Sequence, residues 1–297
     1  MNKKSGFVSI VGKPNVGKST LLNALIGEKV AIVTHKPQTT RNSITAVLNT
    51  ETAQIIFIDT PGMHKPKTRL GELMVKSANN ALSDTDIILF VVEPKGKLEG
   101  IEFSLIERFK LLGQRVILII NKIDTIKKET LVKTIGEYAS LYDFETIIPI
   151  SAKDGDGVKL IIKEIEKRIE EGPQYFPDDM LSDQPEKQII AEIIREKALK
   201  SLDDEVPHGI AIEIDKFEDR ENKDIIDIEA IIYCEKETHK GIVIGKNGAT
   251  LKIIASRARE DLEKFFGCKV YLQCWVKVKE DWRNKGNLLK NFGFEQQ

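Results

Sequence analysis

The segment VGKPNVGKST, residues 11–20, is the strongest indication of fold in the first part of this chain. It fits the pattern G-x-x-x-x-G-K-[ST], follows an apolar run typical of a buried strand, and precedes a helical pattern. Glycines let the backbone N–H groups of such a loop surround a phosphate, and the helix N-terminus favours negative charge. We expect Lys18 to reach the β- and γ-phosphates of a nucleotide and the Ser19 hydroxyl to bind Mg²⁺. The predicted nucleotide-binding residues of this loop are Gly12, Lys13, Pro14, Asn15, Val16, Gly17, Lys18, Ser19 and Thr20.

Short apolar runs alternate with helical patterns over residues 1–172. The runs at 7–11, 55–58, 87–92, 116–120 and 147–150 are typical of buried strands, and helical spacing recurs at 70–82, 101–112 and 158–169. Alternating strands and helices predict a mostly parallel sheet. The expected fold is therefore an α/β P-loop domain over residues 1–172, followed by a smaller α+β domain.

Three further motifs follow predicted strands, at the edge where such sheets bind ligands. Asp59 can hold the shell of a Mg²⁺ ion, and the Gly62 N–H can reach a γ-phosphate. The Asp124 carboxylate can accept two hydrogen bonds from guanine, which adenine cannot donate, so we expect GTP rather than ATP. The residues predicted to bind nucleotide here are Asp59, Thr60, Pro61, Gly62 and Met63, then Asn121, Lys122 and Asp124, and finally Ser151, Ala152 and Lys153. We expect the last three of these residues to cover the base.

A threonine between the first loop and the second predicted strand can act as a switch. In QTTR, residues 38–41, we favour Thr40 over Thr39 as a ligand that reaches Mg²⁺ only when the γ-phosphate is present. The predicted metal ligands are Ser19, Thr40 and Asp59, and the predicted catalytic residues are Lys18, Thr40 and Gly62.

Met63 stands where a water-orienting glutamine is common. Methionine cannot hydrogen-bond a water usefully, so either intrinsic hydrolysis is slow or another group holds the water. His64 follows it directly, and we interpret it as a surface histidine rather than as a catalytic base.

Composition is that of a globular protein of about two domains. The chain has 297 residues, of which 41% are apolar and 31% charged. No apolar run approaches the ~18 residues of a membrane-spanning helix, and we interpret the N-terminal apolar stretch as a strand rather than a signal peptide. The three cysteines have no zinc-type spacing, and we expect free thiols in a reducing cytoplasm.

Charge is distributed unevenly although the net charge is only −1. Residues 178–237 contain 19 acidic and 8 basic side chains, whereas residues 239–290 contain 5 acidic and 12 basic ones. Such a reversal indicates a face directed at a polyanion, with a merely solvated basic surface as the alternative.

The proline- and aspartate-rich segment at 173–185 predicts a linker. We expect residues 186–280 to form a second domain and residues 281–297 to form a C-terminal tail. The second domain follows the order helix, strand, strand, helix, helix, strand. Five of these six elements have predicted ranges, at 187–202, 208–215, 225–235, 248–266 and 269–279, and the helix without a range is the first of the two consecutive helices. This is the order of a type II KH module, whose Gly-x-x-Gly loop holds about four nucleotides. The predicted RNA-binding residues are Ile242, Ile244, Gly245, Lys246, Asn247, Gly248 and Lys252; the alternative is a helix-opening turn without a ligand.

The whole chain resembles the Era family of bacterial GTPases. The resemblance rests on GKPNVGKST, QTTR, DTPGMHKP, NKID, SAK, the joint FPDDMLSDQP with AEIIREKAL, and GIVIGKNG. It implies a cytoplasmic, monomeric GTP/GDP switch that binds the 3′ end of 16S ribosomal RNA and acts in rRNA processing and 30S subunit biogenesis. It also implies peripheral contact with the cytoplasmic face of the cell membrane, and K⁺ binding through Asn15.

Two other functions stay open at this point. One is a GTP-dependent protein-binding switch without RNA specificity, against which the basic C-terminal part and its glycine loop argue. The other is an RNA-modifying enzyme, for which the sequence offers no acid–base cluster outside the nucleotide motifs.

Overall fold

The computed structural model describes residues 3–36, 38–94, 98, 100–221 and 224–294. The chain divides into two compact units. The first contains the chain up to Asp183, except for Thr68–Leu70, which group with the second; the second begins at Gln184. Each unit has its own sheet and its own apolar core.

The first unit is built on a six-stranded sheet in the order β2-β3-β1-β4-β5-β6. Strand β2 is antiparallel to β3, and the other neighbours are parallel. The mostly parallel sheet predicted from the sequence is therefore confirmed. The strands are β1 Lys4–Val11, β2 Ile44–Asn49, β3 Ala53–Asp59, β4 Ile87–Val92, β5 Val116–Ile120 and β6 Thr146–Pro149.

Helices cover both faces of this sheet. Alternate residues of β4 enter different cores: Leu89 joins the core that includes α1 and α5, and Phe90 joins the core that includes α3. Burial on both faces is the reason why this strand has a continuous apolar sequence. The helices are α1 Lys18–Ile26, α2 Arg69–Ser83, α3 Gly100–Leu112, α4 Lys128–Ala139 and α5 Val158–Arg168.

The sequence patterns did not predict β2 or α4. Strand β2 lies at an edge of the sheet, so its sequence mixes Ile44 and Val47 with polar residues. Helix α4 buries only Thr134 and Tyr138, and its remaining positions are exposed or half-buried. Elements with little buried surface need few apolar residues, and their periodicity is correspondingly weak.

Part of the segment predicted as a linker is bound to the first unit. The Val47 N–H donates to the Leu181 carbonyl oxygen (2.9 Å), and the Ser182 Oγ donates to the Thr45 carbonyl oxygen (2.8 Å). The buried Gln54 side chain accepts hydrogen bonds from the N–H groups of Tyr175 (2.8 Å) and Phe176 (3.0 Å). Residues 175–182 therefore run along β2 and β3.

The second unit is an α+β domain with a three-stranded sheet in the order β7-β8-β9. Strand β7 pairs antiparallel with β8, and β8 pairs parallel with β9. Its core unites Ile194 of α6, Ile228 of β8, and Ile254 and Leu262 of α8. The elements are α6 Glu186–Ser201, β7 Ala211–Asp219, β8 Ile225–Cys234, α7 Glu237–Ile244, α8 Ala249–Phe266, β9 Lys269–Val278 and α9 Gly286–Asn291.

The residues predicted as a C-terminal tail pack on the second unit as far as Phe294. The indole of Trp282 is buried, and its Nε1 donates to the Gly209 carbonyl oxygen (2.8 Å). Arg283 makes two hydrogen bonds to the Glu235 carboxylate (2.9 and 2.6 Å). Phe292 lies against Trp282 with ring centroids 5.3 Å apart.

The three cysteines all lie in the described part of the chain, and none forms a disulfide. Among the helices of the described ranges, none combines the length and the apolar character that a bilayer crossing requires.

Candidate functional site

The first glycine loop connects β1 to α1, as the motif predicts. Gly17 has a φ of 97°, and a Cβ atom at this position would lie 2.2 Å from Nδ2 of Asn121. Only glycine fits this backbone and this space. Asn121 also donates to the Val16 carbonyl oxygen (2.8 Å), so the residue that follows β5 fixes the position of the loop.

Lys18 is fully buried at the start of α1. Its Nζ donates to the carbonyl oxygens of Lys13 (2.9 Å) and Gly12 (3.3 Å). Burial lowers the pKa of Lys18 from 10.5 to about 8, although the nearby Asp59 carboxylate partly opposes this effect. A buried cation that contacts neutral carbonyl groups is well suited to bind an anion. The negative charge of a phosphate would stabilise the ammonium group, which has lost the stabilisation that water gave it.

Three oxygen-bearing side chains meet beside Lys18. The Ser19 Oγ lies 2.8 Å from Oδ2 of Asp59 and 2.8 Å from Oγ1 of Thr40, and the Thr40 Oγ1 lies 3.2 Å from the same Oδ2. The other carboxylate oxygen, Oδ1 of Asp59, is buried without a hydrogen-bond partner among the residues that the structure describes.

Burial raises the pKa of Asp59, while Lys18 and the hydroxyls of Ser19 and Thr40 lower it in part. An all-oxygen set with one unpartnered carboxylate oxygen fits a hard cation such as Mg²⁺. Thr39 is not part of this set, because its Oγ1 donates to the Lys36 carbonyl oxygen (2.7 Å) and lies 2.8 Å from Oγ1 of Thr34.

The DTPG segment follows β3 and lies against the first loop. A Cβ atom on Gly62 would approach the Pro14 Cα to 2.8 Å, so the two segments are in close backbone contact. The Met63 N–H donates to the Gly12 carbonyl oxygen (3.2 Å), and the Met63 side chain packs against the core that contains α3. The predicted Met63 is thus an apolar support for the segment. Thr60 supports it through a hydrogen bond, because its hydroxyl is buried and donates to the Ile10 carbonyl oxygen (2.8 Å).

At the other end of the site, the NKID and SAK segments contact each other. Asn121 Oδ1 accepts a hydrogen bond from the Ala152 N–H (3.0 Å). The Ser151 Oγ lies 3.0 Å from Oδ1 of Asp124 and 2.8 Å from Oδ2 of Asp154, so the two carboxylates share its one proton. Lys122 ion-pairs with Glu93 and donates to the carbonyl oxygen of Asn15 (2.6 Å). These contacts orient the Asp124 carboxylate and tie it to the phosphate end of the site.

A cavity of about 530 Å³ runs between the two ends. This volume is in the range usual for small-molecule sites. The predicted residues that line it are Pro14, Asn15, Gly17, Lys18, Ser19, Thr20, Thr40, Gly62, Asn121, Lys122, Asp124 and Lys153.

The other predicted residues of this site, Gly12, Lys13, Val16, Asp59, Thr60, Pro61, Met63, Ser151 and Ala152, are not part of the lining. The side chain of Lys13 illustrates this, because it pairs with the buried Glu102 of α3 at 3.3 Å. Lining residues that were not predicted are Ile32, Val33, Thr34, His35, Gln38, Thr39 and Thr125. Gln38 and Thr39 belong to the QTTR motif, where the prediction chose Thr40, and Thr125 directly follows the NKID motif. Residues 32–35 belong to a segment without a recognisable pattern, and only their position beside the loop brings them to the cavity.

The second glycine loop lies in the second unit, between α7 and α8. Gly245 has a φ of 73°, and a Cβ atom there would lie 2.2 Å from Oγ1 of Thr250. Asn247 and Gly248 also adopt left-handed backbone conformations. The side chains of Lys246 and Asn247 are exposed at the tip of the loop.

The other predicted RNA-binding residues lie on the two helices that flank this loop. Ile242 and Lys252 are exposed, whereas Ile244 is half-buried. Between the two isoleucines, Val243 is fully buried in the core. The loop thus presents one cation and several backbone groups to the surroundings, with apolar side chains beside them.

Comparison with known proteins matches each unit to a family. A family model for 50S ribosome-binding GTPases matches residues 7–122, and a KH-domain model matches residues 205–283. GTPase Era of Ruminiclostridium cellulolyticum is 52% identical over 295 residues, covering 99% of both chains. GTPase Era of Clostridioides difficile is 53% identical over 292 residues, covering 98% of both.

The chain belongs to the Era family of GTPases. Two Era crystal structures have the same fold over 99% of this chain and 100% of their own, each with a TM-score of 0.95. One, at 41% identity, is Era in complex with MgGDPNP and nucleotides 1506–1542 of 16S ribosomal RNA. The other, at 40% identity, is a Tyr-to-Ala variant of Aquifex aeolicus Era bound to GDP·AlF₄⁻.

The Era family and the fold class predicted from the motifs are thus confirmed. As an Era-family protein the chain is a GTPase, with a P-loop GTPase domain followed by a KH domain.

Proposed function

We propose that this chain hydrolyses GTP in the first unit and binds the 3′ end of 16S ribosomal RNA through the second, acting in rRNA processing and 30S subunit biogenesis. The observation that carries the proposal is that one cavity is lined at one end by Ser19 and Thr40, whose hydroxyls contact the Asp59 carboxylate, and at the other end by Asp124, whose carboxylate contacts Ser151. The Era relative crystallised with MgGDPNP and 16S rRNA nucleotides supports both parts.

The phosphate end of the site would hold and polarise the triphosphate. Ser19, Thr40 and Asp59 would hold Mg²⁺, which when bound neutralises charge on the β- and γ-phosphates. Lys18 would exchange its carbonyl acceptors for phosphate oxygens, and the Gly62 N–H would bind the γ-phosphate. Thr40 would leave the cluster when the γ-phosphate is lost, which makes the segment before β2 a switch.

The base end would select guanine. Asp124 would accept hydrogen bonds from guanine N1–H and N2–H₂, with Ser151 holding the carboxylate in place. Asn121 would keep the first loop and the SAK segment at a fixed separation, because it bonds to both. Lys122, Ala152 and Lys153 would lie around the base and ribose.

Asn15 is our candidate ligand for K⁺. Its Nδ2 donates to the His35 carbonyl oxygen (2.9 Å), and no described residue donates to its Oδ1. A K⁺ ion at Oδ1 would add positive charge beside the phosphates, where Met63 offers no polar group. Hydrolysis should then be faster in KCl than in NaCl, and Asn15→Ala should abolish the difference. Equal rates of the wild-type protein in both salts would contradict the role of Asn15 and leave the GTPase assignment intact.

In the second unit, the loop of Gly245, Lys246, Asn247 and Gly248 would hold the backbone of about four nucleotides. Ile242 and Ile244 would contact bases, and Lys252 would add positive charge. We further propose domain limits of 1–172 for the GTPase domain, 173–185 for the linker, 186–280 for the KH domain and 281–297 for the C-terminal segment. Monomeric state, cytoplasmic location and peripheral membrane contact stay predictions.

The test replaces both Lys246 and Asn247 by Asp. Two carboxylates next to a phosphodiester backbone, together with the loss of the lysine, should weaken RNA binding by about tenfold to a thousandfold. The matched control is Lys290→Asp with Asn291→Asp, because this second Lys-Asn pair is also exposed. RNA affinity, GTP affinity and circular dichroism are measured on both variants.

We expect RNA binding to fall only in the loop variant, with GTP binding and the spectrum unchanged. Unaltered RNA affinity in that folded variant would contradict RNA binding at the loop. GTP-dependent capture of a protein, without any RNA affinity in the wild type, would instead favour a protein-binding switch.

A further inference from the structure

We propose that the outward face of strand β9 is a second contact surface for single-stranded RNA, separate from the glycine loop. This β9 outer face consists of Lys269, Tyr271, Gln273, Trp275 and Lys277. The inference rests on the proposed RNA binding of the second unit, and it adds a base-stacking surface that the KH loop does not supply.

Successive side chains of β9 point to opposite faces of the sheet, which separates these residues from the core. Val270, Leu272, Cys274 and Val276 belong to or pack against the core of the second unit, which the helices cover. Side chains at the intervening positions point to the opposite side of the sheet. There Tyr271 is 50% and Trp275 42% exposed, so two aromatic rings lie open to solvent on one strand.

The ring of Tyr271 is held in position by its neighbours. Its hydroxyl accepts a hydrogen bond from Nε2 of Gln273 (2.8 Å), and the Arg220 guanidinium lies 5.4 Å from the ring centroid. Arg220 is itself fixed by Asp227, with 3.0 Å between Nε and Oδ2. A ring that is already ordered loses little conformational entropy when a base stacks on it.

Trp275 lies four residues further along the strand, ~13 Å from Tyr271 at ~3.3 Å per residue. Both rings belong to an extended segment, so an extended strand of RNA can follow the same direction. Aromatic rings along a positively charged track are the usual way to bind single-stranded nucleic acid without strong sequence preference.

Charge decides where on the sheet RNA can lie. The outward positions of β9 include Lys269 and Lys277 and no acidic residue, and Lys279 follows at the next outward position. On the same face, Asp227 and Glu229 of β8 lie opposite Tyr271 and Gln273. Phosphate groups would be attracted along β9 and repelled from β8, so the RNA path follows the edge of the sheet.

The same lysines argue against a protein strand as the occupant. Strand β9 is at the edge of the three-stranded sheet, and lysines on edge strands discourage pairing with another chain. Exposed tyrosine and tryptophan between lysines match the π-faces and phosphates of RNA better than they match an added β-strand.

The experiment uses the full chain and an RNA with nucleotides 1506–1542 of 16S ribosomal RNA. Trp275→Ala and Tyr271→Ala should each weaken binding by about 5- to 150-fold, the usual loss for one stacked base. Trp275→Phe should retain most of the affinity. The control is Phe265→Ala, because Phe265 is an equally exposed ring (44%) on α8 of the same unit, and it should bind as the wild type does.

Two further measurements do not depend on the alanine variants. RNA should quench the fluorescence of the wild-type protein, and Trp275→Phe should remove this quenching, because the other tryptophan, Trp282, is buried. Replacing both Lys269 and Lys277 by Ser should reduce the slope of log affinity against log salt by about 1.4, or ~0.7 for each lost phosphate contact.

Failure of this proposal is distinguishable from failure of RNA binding itself. The first outcome to consider is that the wild type binds RNA and the variant with Lys246→Asp and Asn247→Asp does not. If the β9 variants then bind normally and RNA leaves the protein fluorescence unchanged, the β9 outer face is not an RNA surface. If the wild type binds no RNA, both proposals fall.

Discussion

Asp124 is the side chain on which the choice of base depends. Asp124→Asn should weaken GTP binding by on the order of 100-fold or more, because the amide offers a donor where guanine also donates. Xanthine nucleotides, which have an acceptor at that position, should bind the variant better than GTP does. Asp154→Asn is the matched control, because Oδ2 of Asp154 shares the Ser151 hydroxyl with Asp124 (2.8 Å) but Asp154 lies outside the cavity lining. Nucleotide titrations of both variants test this, and equal GTP affinity for Asp124→Asn and the wild type would remove the assignment.

Lys18 is predicted to reduce the stability of the nucleotide-free protein. Its pKa is about 8 in the folded chain, against the ordinary lysine value of 10.5 in the unfolded chain, so between these pH values the unfolded state binds more protons and stability rises with pH. Below pH 8 the full cost of burying the ammonium group remains. Lys18→Met should therefore raise the free energy of unfolding of the first unit at pH 7 by about 1–3 kcal/mol, and this gain should shrink towards pH 10.

Denaturant unfolding at pH 7 and pH 10, in the absence of nucleotide, measures this effect. Lys163→Met, which changes an exposed lysine of α5, controls for the loss of a surface charge. A variant Lys18→Met that is less stable than the wild type at pH 7 would show that the contacts of Lys18 with the loop carbonyl groups outweigh its burial.

The segment at residues 175–182 connects β2, the strand that follows Thr40, to the chain that leads into the second unit. Gln54 of β3 is buried, and its side chain bonds to the N–H groups of Tyr175 and Phe176 and to the Phe176 carbonyl oxygen (2.8 Å). The same segment pairs with β2, the strand that follows Thr40. We therefore expect a movement of the Thr40 segment to displace residues 175–182 as well, because β2 pairs with them.

Gln54→Ala should release this segment. The substitution leaves backbone groups of Tyr175 and Phe176 without partners, which should cost about 1–3 kcal/mol of stability. Proteolysis near the half-exposed Tyr175 should become faster, while GTP affinity stays within about twofold because Gln54 is outside the cavity lining. Gln174→Ala is the control, since among the described residues its side chain bonds to the Phe176 carbonyl oxygen and to Asp178 and not to β3. Equal protease sensitivity of the two variants would contradict a holding role for Gln54.

At the scale of the whole molecule, the two compact units have separate apolar cores. GTP with Mg²⁺ should therefore stabilise the unfolding transition of the first unit, by about 2.7 kcal/mol at a hundred times the dissociation constant. The transition of the second unit should respond to RNA instead. Calorimetry with GTP, with ATP as the control nucleotide, tests this, and one transition that shifts as a whole with GTP would show that the units unfold together.

How much of the fold the sequence predicts depends on burial. Strands β4 and β5 agree with the predicted ranges 87–92 and 116–120, because both faces of these strands are covered and every position is apolar. Edge strand β2 and the surface helix α4 were missed, because few of their side chains enter a core. In the site, the motifs located the loop and the guanine end, whereas Ile32, Thr34 and His35 line the cavity without any pattern that could reveal them.

The family, the two glycine loops and the preference for guanine follow from the amino-acid sequence, because they depend on short segments whose backbone and side chains act locally. The choice of the threonine that joins Asp59 depends on the folded chain, since Thr40 and Thr39 are neighbours whose hydroxyls make different contacts. The tertiary structure also decided that Lys13 turns to Glu102, that Trp282 is buried under the C-terminal segment, and that Trp275 is exposed. Each of these outcomes depends on residues distant in sequence, whose contacts arise only when the sheets and helices pack.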